Sequence, residues 1–152
     1  MSTIKVDTYQ TRGGVSEIAI DKLKGVTAAG SMLVVGEGGS TTTNLQQGLG
    51  KAWCRWNMSG TAAIEDSFNM ASLTDVGTGI SRLAFANDFS NTKYSATFGV
   101  GELDGGGNRL IGVRGSGGTG PTAGDIGIVH LTVGEDANDI NCNNSVFHGD
   151  LA

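Results

Sequence analysis

The sequence predicts an all-β domain: an antiparallel β-sandwich or jelly-roll-like body preceded by a short N-terminal strand or arm. Three observations carry this expectation. Glycine occurs 26 times in 152 residues, where average usage of about 7% would give about 11, and there is one proline, so the turns rest on glycine. Apolar residues alternate with polar ones over short runs, the period of a strand with one face in a core. Between those runs lies no long segment with helical periodicity, which excludes the parallel α/β folds.

Along the chain, residues 3–9 form the first such run, with Ile4 and Val6 on one face before Gly13 and Gly14 interrupt it. Residues 15–23 fit both periods: Val15, Ile18, Ala19 and Leu23 follow helical spacing, while Ile18 and Ile20 follow strand spacing. A brief apolar run at 31–35 ends in Gly36–Gly39. Asn44 can then cap a short helix with Leu45, Leu49 and Ala52 on one side, weakened by Gly48 and Gly50. From Ala52 the alternation is clear, with Cys54, Trp56 and Met58 on the core face and Trp53, Arg55 and Asn57 on the other. Ile64, Phe68 and Met70 are expected to keep that inward parity around Glu65 and Asp66. Further strands are expected at Leu83 and Phe85, at 94–100 with Tyr94, Ala96, Phe98 and Val100 in the core stripe, at 110–114, at 124–133 and at 145–148. Asp104–Asn108 reads as a hairpin-like turn.

Charge and composition exclude several functions. Ten basic against fifteen acidic residues give a net charge of −5, and no basic cluster offers a footprint for nucleic acid. No apolar stretch is long enough to insert in a membrane, and the start lacks the apolar core of a signal peptide. Cys54 and Cys142, 88 positions apart, are expected to be two buried thiols rather than a disulfide.

Chemistry-bearing motifs are sparse. Gly115–Gly120 spells G-x-G-x-x-G, but Pro121 and a strand follow instead of the helix a pyrophosphate site needs. Gly48–Lys51 lacks phosphate-cradling spacing. His130 and His148 have no second histidine or cysteine at chelating distance, and each is expected to be structural. Glu135, Asp136 and Asp139 cluster in a turn without the calcium-loop pattern. Glu65 and Asp66, being adjacent on a strand, would face opposite sides unless a bend intervened, so they are not expected to flank a glycosidic bond. No catalytic, cofactor or metal site is expected.

From Ser31 onward the chain resembles a known group. The block Val34-Val35-Gly36-Glu37-Gly38-Gly39-Ser40-Thr41-Thr42-Thr43-Asn44-Leu45-Gln46-Gln47-Gly48-Leu49-Gly50-Lys51-Ala52-Trp53 is similar to one recurring in small tail-fibre or appendage-like virion proteins of marine tailed phages. Similar pieces are Glu65-Asp66-Ser67-Phe68-Asn69, Ser72-Leu73-Thr74-Asp75-Val76-Gly77-Thr78-Gly79, the opening Ser2–Thr8 and the ending His148–Ala152. The resemblance implies a homotrimeric structural subunit of the virion, made in the host cytoplasm, that contacts other tail or capsid proteins and a host-surface glycan or protein.

On that basis residues 1–30 are expected to form an arm for attachment or inter-subunit contact, through Ile4, Val6 and Tyr9, and residues 31–152 the body. Host contact is expected from the loops 101–108, 115–122 and 134–144, through Asp104, Asn108, Thr119, Asp136 and Asn138. Two other roles fit the same residues: a capsid decoration or head-fibre protein docked on the major capsid protein, and a monomeric carbohydrate-binding module.

Overall fold

A computed structural model describes residues 32–35, 39, 41–101, 108–115 and 120–152. The expected arm, with Ile4, Val6 and Tyr9, lies outside the described residues, as do Asp104 and Thr119. The described part is an antiparallel β-sandwich. Its elements are β1 (Leu33–Val35), β2 (Thr42–Asn44), α1 (Leu45–Gly48), β3 (Ala52–Asn57), β4 (Ala63–Phe68), β5 (Met70–Gly77), β6 (Ile80–Phe85), β7 (Ser95–Gly101), β8 (Arg109–Val113), β9 (Asp125–Thr132) and β10 (Cys142–His148). One four-stranded sheet has the order β4-β3-β10-β7 and the other β5-β6-β9-β8, while β1 and β2 pair as a separate two-stranded ribbon.

The core forms where the inward parities of the two sheets meet. From the first sheet come Ala52, Cys54 and Trp56 of β3, Phe147 of β10, and Met58 just beyond β3; from the second come Leu83 and Phe85 of β6 with Ile126 and Ile128 of β9. Trp56 is fully buried and Trp53 is 38% exposed, as their opposite parity requires. At one end of the interface Phe85 meets Phe89, Tyr94 and Phe147 edge-on, with ring centroids 4.9, 5.5 and 5.1 Å away. Phe89 and Tyr94 stack at 4.5 Å, and Phe98 packs partly buried against the same cluster. Aromatic pairs of this geometry add about 0.5–1.5 kcal/mol each beyond the area they bury.

Several expectations are corrected. In the β3–β4 pair Trp56 faces Ile64 and Arg55 faces Asp66, so Glu65 is an extra residue, a β-bulge. The bulge shifts the parity of β4 by one: Ser67 turns inward and Phe68, opposite Trp53, is left 55% exposed. It also supplies the bend that puts Glu65 and Asp66 both outward, where Glu65 pairs with Arg55 at 2.5 Å and Asp66 accepts from the Ser67 N–H. Within the apolar run β1 is exposed along its whole length. Asn44 does cap α1, accepting from the N–H groups of Gln46 and Gln47 at 2.9 and 3.2 Å. The helix stops after one turn at Leu49, however, and Ala52 belongs to β3. The Asp104–Asn108 connection is no hairpin within a sheet, because β7 and β8 belong to different sheets.

Cys54 is buried and Cys142 half-buried, both as free thiols. They lie on opposite faces of one sheet, Cys54 inward and Cys142 outward, which rules out a bridge between them within the chain. Burial alone pushes the Cys54 thiol up to about 12.

Two residues make the sandwich corners possible. Asn69, the single residue between β4 and β5, adopts φ +57°, which asparagine tolerates. Its amide donates to the Lys51 and Asn87 carbonyls and accepts from the Asn87 N–H, so the crossing between sheets is hydrogen-bonded from both sides. Gly79, in the β5–β6 turn at φ +69°, lies so close to the following loop that a Cβ would fall 2.6 Å from both the Asn138 nitrogen and the His130 oxygen. Substituting Gly79→Ala is therefore expected to destabilise the fold by more than about 2 kcal/mol in chemical denaturation, combining backbone strain with a clash against two strand-end backbones. A loss below about 0.5 kcal/mol would mean that the turn and the loop do not pack this way.

Candidate functional site

Strand register decides which loops share an end of the sandwich. Cys142, which opens β10, pairs with Gly101, which closes β7, and Arg109, which opens β8, pairs with Thr132, which closes β9. Gly101, Asn108 and the 133–141 loop are thus at one end, joined by the β3–β4 and β5–β6 turns. Gly115 and residues 120–122 are at the other end, where Phe89 bonds Ala123 and Thr122 bonds Asp125. That second end also carries α1, the β1–β2 ribbon and the C-terminus, since Lys51 bonds Phe147 and Ala152 bonds Asp88. Of the candidate contact residues that the structure describes, Asn108, Asp136 and Asn138 share one end, whereas Gly115 and Thr122, at the borders of the third candidate segment, are at the opposite end.

Within the first end, Asn108 and Asp136 are exposed and Asn138 is half-buried. The 133–141 loop is folded back onto β9. Asn138 donates its N–H to the His130 carbonyl, the Asp136 carbonyl accepts from Thr132, and Ala137 bridges to Leu131. Glu135 takes a left-handed conformation at φ +67°, and Asp139 accepts from the Gly79 N–H at 2.7 Å. The acidic side chains that the sequence clusters here are therefore dispersed. Among the described residues no group of three or more histidine, cysteine or acidic side chains could hold a metal ion, and no helix is long and apolar enough to cross a membrane.

Beneath that loop lies a polar cluster that sequence reading missed. His130 Nδ1 is 3.0 Å from Asn143 Oδ1, and His130 Nε2 is 2.9 Å from Ser81 Oγ. Asn143 Nδ2 donates to the Trp56 and Ile140 carbonyls, so its Oδ1 must be the atom facing the histidine. It follows that Nδ1 carries the proton and the neutral ring accepts the Ser81 hydroxyl on Nε2. The Trp56 ring meets the imidazole edge-on at 6.0 Å. The order of contacts is that of a nucleophile, its base and an orienting amide. Ser81, His130 and Asn143 are nevertheless each fully buried, so a substrate atom cannot approach the hydroxyl. The cluster ties β6 and β9 of one sheet to β10 and β3 of the other. The signal available in sequence was polar residues at core parity: Asn143 and Ser145 share the face of Phe147, and Ser81 that of Leu83 and Phe85.

At the ribbon end two shallow clefts adjoin Asp150. One, of about 180 Å³, is lined by Gln47, Phe89, Asn91, Lys93, Tyr94 and Gly149; the other, of about 230 Å³, by Gln46, Lys51 and Leu151. Their polar groups are engaged with one another: Gln47 donates to Asp150, and Lys51 to the Gln46 carbonyl. Both are below the size usual for ligand pockets, about 300–1,000 Å³.

Burial holds the His130 pKa below its ordinary value, against opposing contributions from the Asn143 hydrogen bond and the Asp139 charge. The unfolded chain therefore takes up a proton near pH 6.5 that the folded chain refuses, and stability falls as the pH drops below about 6.5. Urea denaturation at about pH 7.5 and about pH 5 checks this. The stability advantage of the wild type over His130→Gln is expected to shrink at the lower pH. An unchanged difference would contradict the buried, neutral histidine.

No family model, no curated protein and no solved structure matches this chain.

Proposed function

We propose that this chain is a structural, non-enzymatic subunit of a tailed-phage virion: a homotrimeric tail-fibre or appendage protein that attaches to the particle by one end and meets the host surface with the other. What supports this reading most is the polarity of the body. The ribbon, α1 and the C-terminus leave from one end, and the opposite end carries a folded loop with Asp136 and Asn138, and, separately, Asn108 just before β8. Amide and carboxylate side chains on a rigid scaffold suit recognition of a glycan or of a polar protein surface. Apolar side chains left open on the ribbon and on both sheets favour self-association. The sealed Ser81–His130–Asn143 cluster gives no reason to assign a reaction, and the charge of −5 disfavours nucleic acid as a partner.

Size-exclusion chromatography with light scattering is expected to give three times the 15.5 kDa chain mass. A stable mass of one chain would favour the carbohydrate-binding module instead. Immunogold electron microscopy of purified particles, with antibody against residues 101–144, is expected to label the tail. Label over the capsid would move the role to decoration or head fibre, and unlabelled particles would overturn the virion reading.

A further inference from the structure

Two apolar surfaces of the described chain are exposed at the same time, and they match. The first is the β1–β2 ribbon, whose Leu33, Val34 and Val35 are 57%, 48% and 61% exposed. Because successive residues of a strand point to opposite sides, both faces of this ribbon carry aliphatic side chains. Such a ribbon is at best marginally stable on its own. The second surface is a row across the outer face of the β4-β3-β10-β7 sheet. The register places Phe68 beside Trp53, Trp53 beside Val146 and Val146 beside Thr97, with the first three 55%, 38% and 39% exposed.

The two surfaces fit in length and charge. Three residues of β1 extend roughly 10 Å, and the row from Phe68 to Val146 crosses two inter-strand spacings, also roughly 10 Å. Neither surface bears a formal charge, which matters for copies that each carry −5. Of the row's charged neighbours, Arg55 and Glu65 pair with each other, and Asp66, opposite Arg55, accepts from the Ser67 N–H.

Within one chain both surfaces stay open, as those exposures show. Leu45 bonds the Met32 carbonyl, Asn44 caps α1, and α1 is tied to the body by Gln47 on Asp150. These contacts fix the root of the ribbon. Gly50, which follows α1, packs against Val146, a Cβ at that glycine falling 3.2 Å from Val146 Cγ1. The root therefore sits at the border of the same outer face, while the side chains of β1 stay open to solvent.

We propose that the β1–β2 ribbon of one copy packs on the Phe68–Trp53–Val146 row of a second copy of this chain. The contact is heterologous, ribbon to sheet face, so repeating it generates a ring where the rotation closes and a filament where it does not, and a three-fold ring is the closure the proposed function calls for. The inference rests on that reading for the number of copies, but the pairing of surfaces is its own claim.

The test is disulfide trapping in a Cys142→Ser background, where Cys54 stays protected by burial. Val35→Cys and Val146→Cys are made singly and together, oxidised mildly, and separated by non-reducing denaturing electrophoresis. The double variant is expected to give covalent dimers and trimers that neither single variant gives under the same oxidation. A fast-migrating monomer, closed by an intrachain disulfide, would overturn the proposal by showing that the ribbon folds onto its own body. As a second measurement, the outward-facing pair Trp53→Ser and Phe68→Ser is expected to raise the concentration for half-dissociation at least about tenfold, with the circular dichroism of the fold retained. If light scattering shows a trimer that neither traps nor loosens, this interface is wrong while the assembly stands. A parental protein of single-chain mass overturns both.

Discussion

The arrangement of the two sheets depends on one buried amide. Asn143 donates to the Trp56 and Ile140 carbonyls and accepts from His130, whose other ring nitrogen is met by Ser81. An imidazole with no exposure would be costly among Ala, Ile and Trp side chains unless both its nitrogens were matched. The match requires four strands and the segment before β10 to stand in one relation to each other. Hydrophobic burial would draw the same sheets together in many slightly shifted ways, because it is non-directional. The hydrogen bonds select one of them.

The opposite end of the sandwich is held differently. There Phe85, Phe89, Tyr94 and Phe147 interlock edge-to-face, and the Tyr94 hydroxyl donates to the Asp125 carbonyl. Burial pushes the Tyr94 hydroxyl pKa above its ordinary value, with the Asp125 charge acting in the same direction. An aromatic lock at the ribbon end and a polar lock at the other fix the body at both extremities. Loops at one end and the ribbon at the other can then serve different partners without disturbing each other. This division is what the proposed appendage role asks of so small a domain.

The outer faces explain why self-association is an economical reading. With few charged side chains to distribute, the sheets leave aliphatic and aromatic residues in the open, and at Phe68 the β4 bulge adds one that simple alternation would have buried. A row of uncharged side chains, with Arg55 and Glu65 paired beside it, leaves Asp66 as the one neighbouring carboxylate without a cation among the described residues.

How much was legible in the sequence differs from element to element for a physical reason. The inward parity of Ala52, Cys54, Trp56 and Met58, the exposure of Trp53, the core stripe of Tyr94 and Phe98 and the Asn44 cap were all readable, because each depends on neighbours within a few positions. So was the all-β class, which follows from the two-residue period. What only the tertiary structure decided is which strands pair. The partner of β4 reveals the Glu65 bulge and turns Phe68 outward, the assignment of β7 and β8 to different sheets makes their connection a crossing, and the pairing of β10 brings Asn143 to His130. The same pairing puts Gly115 and Thr122 at the end opposite Asn108, Asp136 and Asn138. Parity is a local property of the backbone, whereas pairing is settled by burial summed over the whole chain, and the polar residues at core positions were its one trace in the sequence.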